Sequence, residues 1–150
     1  MDIWTIGHST RSLEELVSLL KQNNIHTLVD VRHYPGSRKN PQFNRDNLSL
    51  ELPKSNIEYI WLGEELGGFR KGGYIEYMET PEFKHGLVKL LEIAQFSRTA
   101  IMCAEIVWFR CHRRWISDQL VREGHNVIHI LNEKRTYIHK IVEKKAESSI

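Results

Sequence analysis

Short apolar runs alternate along this chain with longer stretches in which apolar positions recur at helical spacing. Ile3-Trp-Thr-Ile6 predicts a first strand that ends at Gly7-His-Ser-Thr-Arg11. Ser12 is a good N-cap, Glu15 completes a capping box, and Leu13, Leu16, Val17 and Leu20 then mark one face of a helix that Asn23-Asn24 closes. Further strands are predicted at Thr27 to Val31, Ile57 to Leu62, Thr99 to Ala104 and Asn126 to Leu131. Pro81 sits near the start of a second helix that runs to about Phe96, with Phe83, Leu87, Leu90, Leu91 and Ala94 on its apolar face. A third helix is expected from near Cys111 to Glu123, ended by Gly124. From Arg32 to about Leu52 no period is visible, and Pro35, Gly36 and Pro41 interrupt the stretch, which predicts a long functional or mobile loop. Gly63 to Arg70 reads as a glycine-bearing loop. The tail, residues 132–150, is polar, with Tyr137, Ile138, Ile141 and Val142 at rough helical spacing, and is expected to be a short docked segment that frays.

Strands alternating with helices predict an α/β fold: a three-layer α/β/α arrangement with a mostly parallel sheet of about five strands. Ligands bind such sheets beyond the carboxyl ends of the strands. His8 to Arg11 follow the first strand, Asp30 and Arg32 lie at the second, and Cys103 and Glu105 lie at the fourth. Three separate segments therefore point at one edge.

The 150 residues fit a single domain, long enough to bury roughly 70% of the surface of the unfolded chain. Two cysteines without an apolar leader fit a reducing cytoplasm, and no run approaches the roughly 20 apolar residues that span a membrane, so a soluble protein is expected. A net charge of +2 is too small for a general nucleic-acid binder. Its distribution is more informative: Arg32, His33, Arg38, Lys39 and Arg45 crowd one segment and Arg110, Arg113 and Arg114 another, so two basic patches could converge on one anionic ligand.

The chemistry concentrates in residues 100–114, where an apolar strand runs into Cys103, Glu105, Cys111 and His112 among three arginines. A thiol, a carboxylate, an imidazole and guanidinium groups can supply a nucleophile, a proton carrier and an anion clamp. Cys103 is either a nucleophile or a packed core thiol. Glu105 has the same strand parity as Cys103 and is expected to share its face. Cys111 at a helix start could have its thiolate stabilised by the helix dipole and by Arg113 or Arg114, or it could simply cover the helix end. His112 and Arg113 suit an anion grip, the alternative being a salt bridge from Arg113 to Glu105 or Asp30. His8 could be acid, base, metal ligand or a packed ring. Asp30 and Arg32 either serve the site or pair with each other. Arg38 and the Gly67-Gly68 turn are read as ligand-facing, the glycines permitting close backbone approach or positive φ. Trp108 and Phe109 could wall the pocket, while His26, His85, His125, His129 and His139 form no recognisable constellation. A metal is not expected, because Cys103-x7-Cys111 is not a zinc spacing and the arginines disfavour a cation.

The ordered set Thr5-Ile-Gly-His-Ser-Thr10, Leu28-Val-Asp-Val-Arg32 with Pro35, Ser37 and Arg38, Leu62-Gly63 with Leu66-Gly-Gly68, and Met102-Cys-Ala-Glu105 with Cys111-His-Arg113 resembles the domain of unknown function 488 family. The resemblance covers about residues 3–131. It implies a small α/β domain whose marked residues are the Cys-x-Glu and Cys-His-Arg elements, with no established reaction. A weaker likeness links Leu28 to Arg32 with the Asp-x-Arg strand of rhodanese-type domains. The phosphate-type Cys-x4-Arg or Cys-x5-Arg loop of those enzymes is missing, since the spacings from Cys103 land on Trp108 and Phe109.

The expected function is an enzyme acting on a small anionic substrate, phosphate-bearing or a nucleotide, by hydrolysis or group transfer. Arg32, Arg38 and Arg113 would bind charge, Glu105 would move protons, and Cys103 or Cys111 would be nucleophile or wall; no cofactor is required by the sequence. The alternative is a module that binds nucleic acid or nucleotides without turnover.

Overall fold

The computed structural model describes residues 1–141 and contains one six-stranded sheet. Strand β1, Asp2–Gly7, leads to helix α1, Leu13–Gln22, and then to β2, Thr27–Asp30. The predicted capping box is present: the Ser12 hydroxyl accepts from the Glu15 N–H at 3.0 Å, and the Ser12 N–H donates to the Glu15 carboxylate at 3.4 Å. Helix α2, Arg45–Glu51, precedes β3, Glu58–Trp61, and two short helices, α3 at Gly63–Leu66 and α4 at Tyr74–Tyr77, precede the long α5, Pro81–Phe96. The chain ends its described part with β4, Thr99–Cys103, α6, Arg113–Arg122, β5, Asn126–Ile130, and β6, Thr136–Ile138.

The strand order is β3-β2-β4-β1-β5-β6. The first five strands run parallel, and β6 pairs antiparallel with β5. Alternate residues of each strand feed opposite layers, as the period of two requires. Trp4, Ile6, Leu28, Ala100 and Met102 pack with α1 and α2 on one side. Ile3, Val29, Ile101 and Cys103 pack with α3, α5 and α6 on the other. The fold class expected from the sequence is therefore present, with one strand more.

Three local expectations need correction. The supposedly aperiodic stretch after Arg32 contains α2 and two turns of 3₁₀-helix, Pro41–Phe43 and Leu52–Ser55; the prolines start these turns rather than break structure. The glycine-bearing loop at Gly63 begins with α3. In the polar tail, Tyr137 and Ile138 belong to β6 and face His129 and Ile128 across the ladder, so strand pairing overrides their helical spacing. Val142 lies outside the described residues. No helix among the described residues is long and apolar enough to cross a membrane.

Candidate functional site

The topology opens a crevice beside β4. The chain leaves β1 and β2 toward the layer of α1 and α2, while it leaves β4, which lies between them, toward the layer of α6. Connections that diverge from adjacent parallel strands leave a gap at the carboxyl edge, the usual ligand position of such sheets. A cleft of about 900 Å³ occupies that edge. Of the residues expected at a site, His8, Arg32, Gly68, Cys103, Glu105, Cys111 and His112 line it. Arginines 32, 70, 110 and 114 also line it, against Glu105 as the one carboxylate on the wall.

Arg32 is held from behind. Asp30, fully buried, takes the Arg32 Nε at 2.8 Å and Nη2 at 2.6 Å, and Nη2 also donates to the Phe43 carbonyl at 2.7 Å. Tyr59 donates its hydroxyl to the same carboxylate at 2.5 Å. Asp30 thus pairs with Arg32 below the cleft wall and does not reach the cleft itself. Arg32 Nη1 donates to His8 Nε2 at 3.2 Å, which requires His8 to carry its proton on Nδ1, and Nδ1 donates to the Ser9 carbonyl at 2.9 Å. Burial lowers the His8 pKa from 6.5 to about 4. Neutral, with both ring nitrogens engaged, His8 orients Arg32 and is not poised as a general base near neutral pH.

The loop leaving β4 is shaped by Gly7. A Cβ there would lie 1.8 Å from the Glu105 carbonyl oxygen, so only glycine lets residues 104–106 cross over the end of β1. The His8 and Ser9 N–H groups pin the loop by donating to the carbonyls of Cys103 at 3.0 Å and Ala104 at 2.8 Å. The loop then returns Cys111 to Cys103, with the two free Sγ atoms 2.7 Å apart. Cys103 is buried in the apolar layer, and burial pushes its pKa well up. Cys111 is half-buried and its pKa is lowered, chiefly by the hydrogen bond from Cys103 and then by the Arg113 guanidinium, against the opposing effect of burial. The Arg113 N–H at the start of α6 donates to Cys111 Sγ at 3.3 Å. Of the two cysteines, Cys111 is the one that combines a less buried position on the cleft wall with a backbone N–H donor, the setting that favours a thiolate.

The remaining expected residues are placed as follows. Strand β4 ends at Cys103, so parity does not carry to Glu105, which stands exposed on the cleft wall and forms no ion pair among the described residues. Arg113 is 1% exposed and lies off the wall; its Nη2 donates to the carbonyls of Glu105 and Ile106 at 3.2 and 3.3 Å. The alternative to an anion grip, a salt bridge from Arg113 to Glu105 or Asp30, does not form, and its Nε and Nη1 have no partner among the described residues. It braces the β4 exit loop. His112 donates Nε2 to the Val31 carbonyl at 2.5 Å, and burial lowers its pKa to about 4. Arg38 is exposed and off the cleft, and Arg45 stacks on Trp61 at 4.3 Å, so of that basic segment only Arg32 and His33 reach the cleft. Gly67 is also off the wall. Its role is close approach, since a Cβ would lie 2.6 Å from His33 Cα, and its φ of −68° is ordinary. A Cβ on Gly68 would lie 3.0 Å from His112 Nδ1.

Several wall residues carry no sequence signal of their own. Arg70, Tyr34 and Phe69 reach the cleft from loops, and Tyr34, Phe69 and Phe109 are 67%, 86% and 53% exposed on its rim. Trp108 instead stacks on His129 with ring centroids 4.7 Å apart. His129 and His139, for which no pattern exists in the sequence, join a buried chain from Thr5 through both imidazoles to Asp118. A family model described as a domain of unknown function, DUF488, matches residues 12–120. No curated protein and no solved structure matches the chain.

Proposed function

The chain belongs to the DUF488 family, a domain of unknown function, and we propose from its own cleft that it is an enzyme in which the Cys111 thiolate attacks a small anionic substrate, phosphate-bearing or a nucleotide. The observation that carries this reading is the position of Cys111: at the start of α6, under the Arg113 N–H, on the wall of a cleft where four arginines outnumber one carboxylate. The arginines attract the substrate's charge, and Arg32, fixed by Asp30 and His8, has one Nη1 hydrogen left to offer. Attack by sulfur would transfer the anionic group to Cys111, and Glu105, exposed on the same wall, would hand a proton to the leaving group. A second acceptor, water or an alcohol, would then release the group. The exposed aromatic rim suits a stacked base and favours a nucleotide among anionic substrates.

A turnover screen over phosphate esters and nucleotides, run beside ligand titration, tests this reading. Cys111→Ser should retain binding and lose turnover; retained turnover in that variant would refute the assignment. The same rim supports a second reading, a binding module for single strands or nucleotides. In that case no substrate turns over, and Phe69→Ala weakens oligonucleotide binding by about 1–3 kcal/mol.

A further inference from the structure

The cleft holds two thiols where one nucleophile would suffice. Cys111 is half-buried on the wall, and Cys103, 1% exposed, stands directly behind it at the end of β4. Their Sγ atoms are 2.7 Å apart, about 0.7 Å more than a disulfide bond. Cys111 lies in extended backbone between a 3₁₀ turn and α6, outside any helix or strand, so its side chain can close that gap without breaking a ladder. Nothing in the phosphate reading uses Cys103.

We propose that Cys103 and Cys111 form a dithiol couple that reduces small anionic disulfides in the cleft, Cys111 attacking and Cys103 resolving; the inference rests on Cys111 being the nucleophile of the cleft. The Cys111 thiolate attacks one sulfur of the substrate, the substrate S–S bond breaks, and its other half leaves as a thiolate with the electron pair. Cys103 gives its proton to that departing thiolate and attacks Cys111 Sγ. A Cys103–Cys111 bond forms and the second half leaves as a thiolate that takes a proton from solvent. One substrate disulfide becomes two thiols and the protein's two thiols become one disulfide, a two-electron exchange that an external dithiol reductant reverses. The order of events follows from accessibility: Cys103 is 1% exposed and Cys111 only half-buried on the wall, so Cys111 is the sulfur that substrate reaches first. The arginines on the wall select a substrate that carries carboxylates.

Dithiobis-nitrobenzoate, an anionic aromatic disulfide, is a suitable probe, with uncharged dithiodipyridine as comparison. The wild-type protein should release two thionitrobenzoates per chain, show by mass an internal disulfide without adduct, and recover both thiols in dithiothreitol. Cys103→Ser should release one and keep the other as a stable adduct, Cys111→Ser should lose the fast phase, and Arg110→Glu with Arg114→Glu should slow the anionic probe more than the uncharged one. A wild-type chain that retains the adduct overturns the dithiol couple and leaves Cys111 as nucleophile. Fast reaction of Cys111→Ser overturns both readings. The wild-type mass measurement decides the couple even if the Cys103 variant fails to fold.

Discussion

Asp30→Ala is the sharpest test of how the cleft floor is held. The carboxylate is fully buried and accepts four hydrogen bonds: from the Arg32 N–H at 3.1 Å, its Nε at 2.8 Å, its Nη2 at 2.6 Å, and the Tyr59 hydroxyl at 2.5 Å. Burial opposes the charge on Arg32, yet its pKa is raised overall because Asp30 more than compensates. Removing Asp30 strands a guanidinium that is only 6% exposed. Truncating one partner of a buried pair costs about 3–5 kcal/mol, against about 0–1 kcal/mol for an exposed one. For a chain of this size that is a fall in Tm of about 6–20 °C. Urea unfolding with an unchanged slope should return the same energy. Adding Arg32→Met to Asp30→Ala should recover part of the loss, since the stranded charge is gone. A cost below about 1 kcal/mol for Asp30→Ala would refute the argument and mean that water or movement of Arg32 solvates the charge.

Two other expectations follow from burial and from close packing. Burial holds His8 and His112 at about 4 and His129 at about 2, all below the ordinary 6.5, so the unfolded chain binds protons that the folded one does not. Stability should be full above pH 6.5 and fall as the pH drops, down to about 4 for His8 and His112 and on toward about 2 for His129, by up to about 1.4 kcal/mol per pH unit for each histidine; urea melts that stay flat from about pH 7 to 5 would contradict this. Gly7→Ala places a Cβ 1.8 Å from the Glu105 carbonyl and should cost about 1–3 kcal/mol while changing the alkylation rate of Cys111, whereas Gly36→Ala, with nothing within 4 Å, should alter neither on thermal melts and iodoacetamide kinetics.

The five parallel strands were legible because each is a compact apolar run, and the edge where ligands would bind followed from their direction. Ser12 and Glu15 marked the start of α1 for a local reason, a reciprocal cap that needs no tertiary context. Helix α2 was hidden because it buries only Leu48 and Asn44 gives it no side-chain cap, leaving neither a periodic face nor a start signal. Strand β6 was hidden because all three of its residues are exposed, so no alternation records which side faces in. At the site, the residue types of the β4 exit were legible but their geometry was not. The meeting of Cys103 and Cys111 depends on the path of the loop over Gly7, and the burial of Arg113 depends on two carbonyls of that loop. Neither is encoded in spacing. The chain from Thr5 to Asp118 likewise needs β5 and β6 paired before its two histidines touch.

The position of β1 has a consequence for how the chain is made. Trp4 has its ladder partners in Ala100 and Ile128, both made long after it. Until β4 and β5 have been synthesised, an apolar strand destined for the centre of the sheet has both edges unpaired, and such non-local parallel pairing is slow to form. The nascent chain is therefore most prone to aggregation and proteolysis in the interval after β2 and before β4 and β5, when β1, α1 and β2 exist without the strands that separate and cover them. Truncation before β5 should leave the first strand without one of its two partners, and with it the carboxyl edge on which the cleft is built.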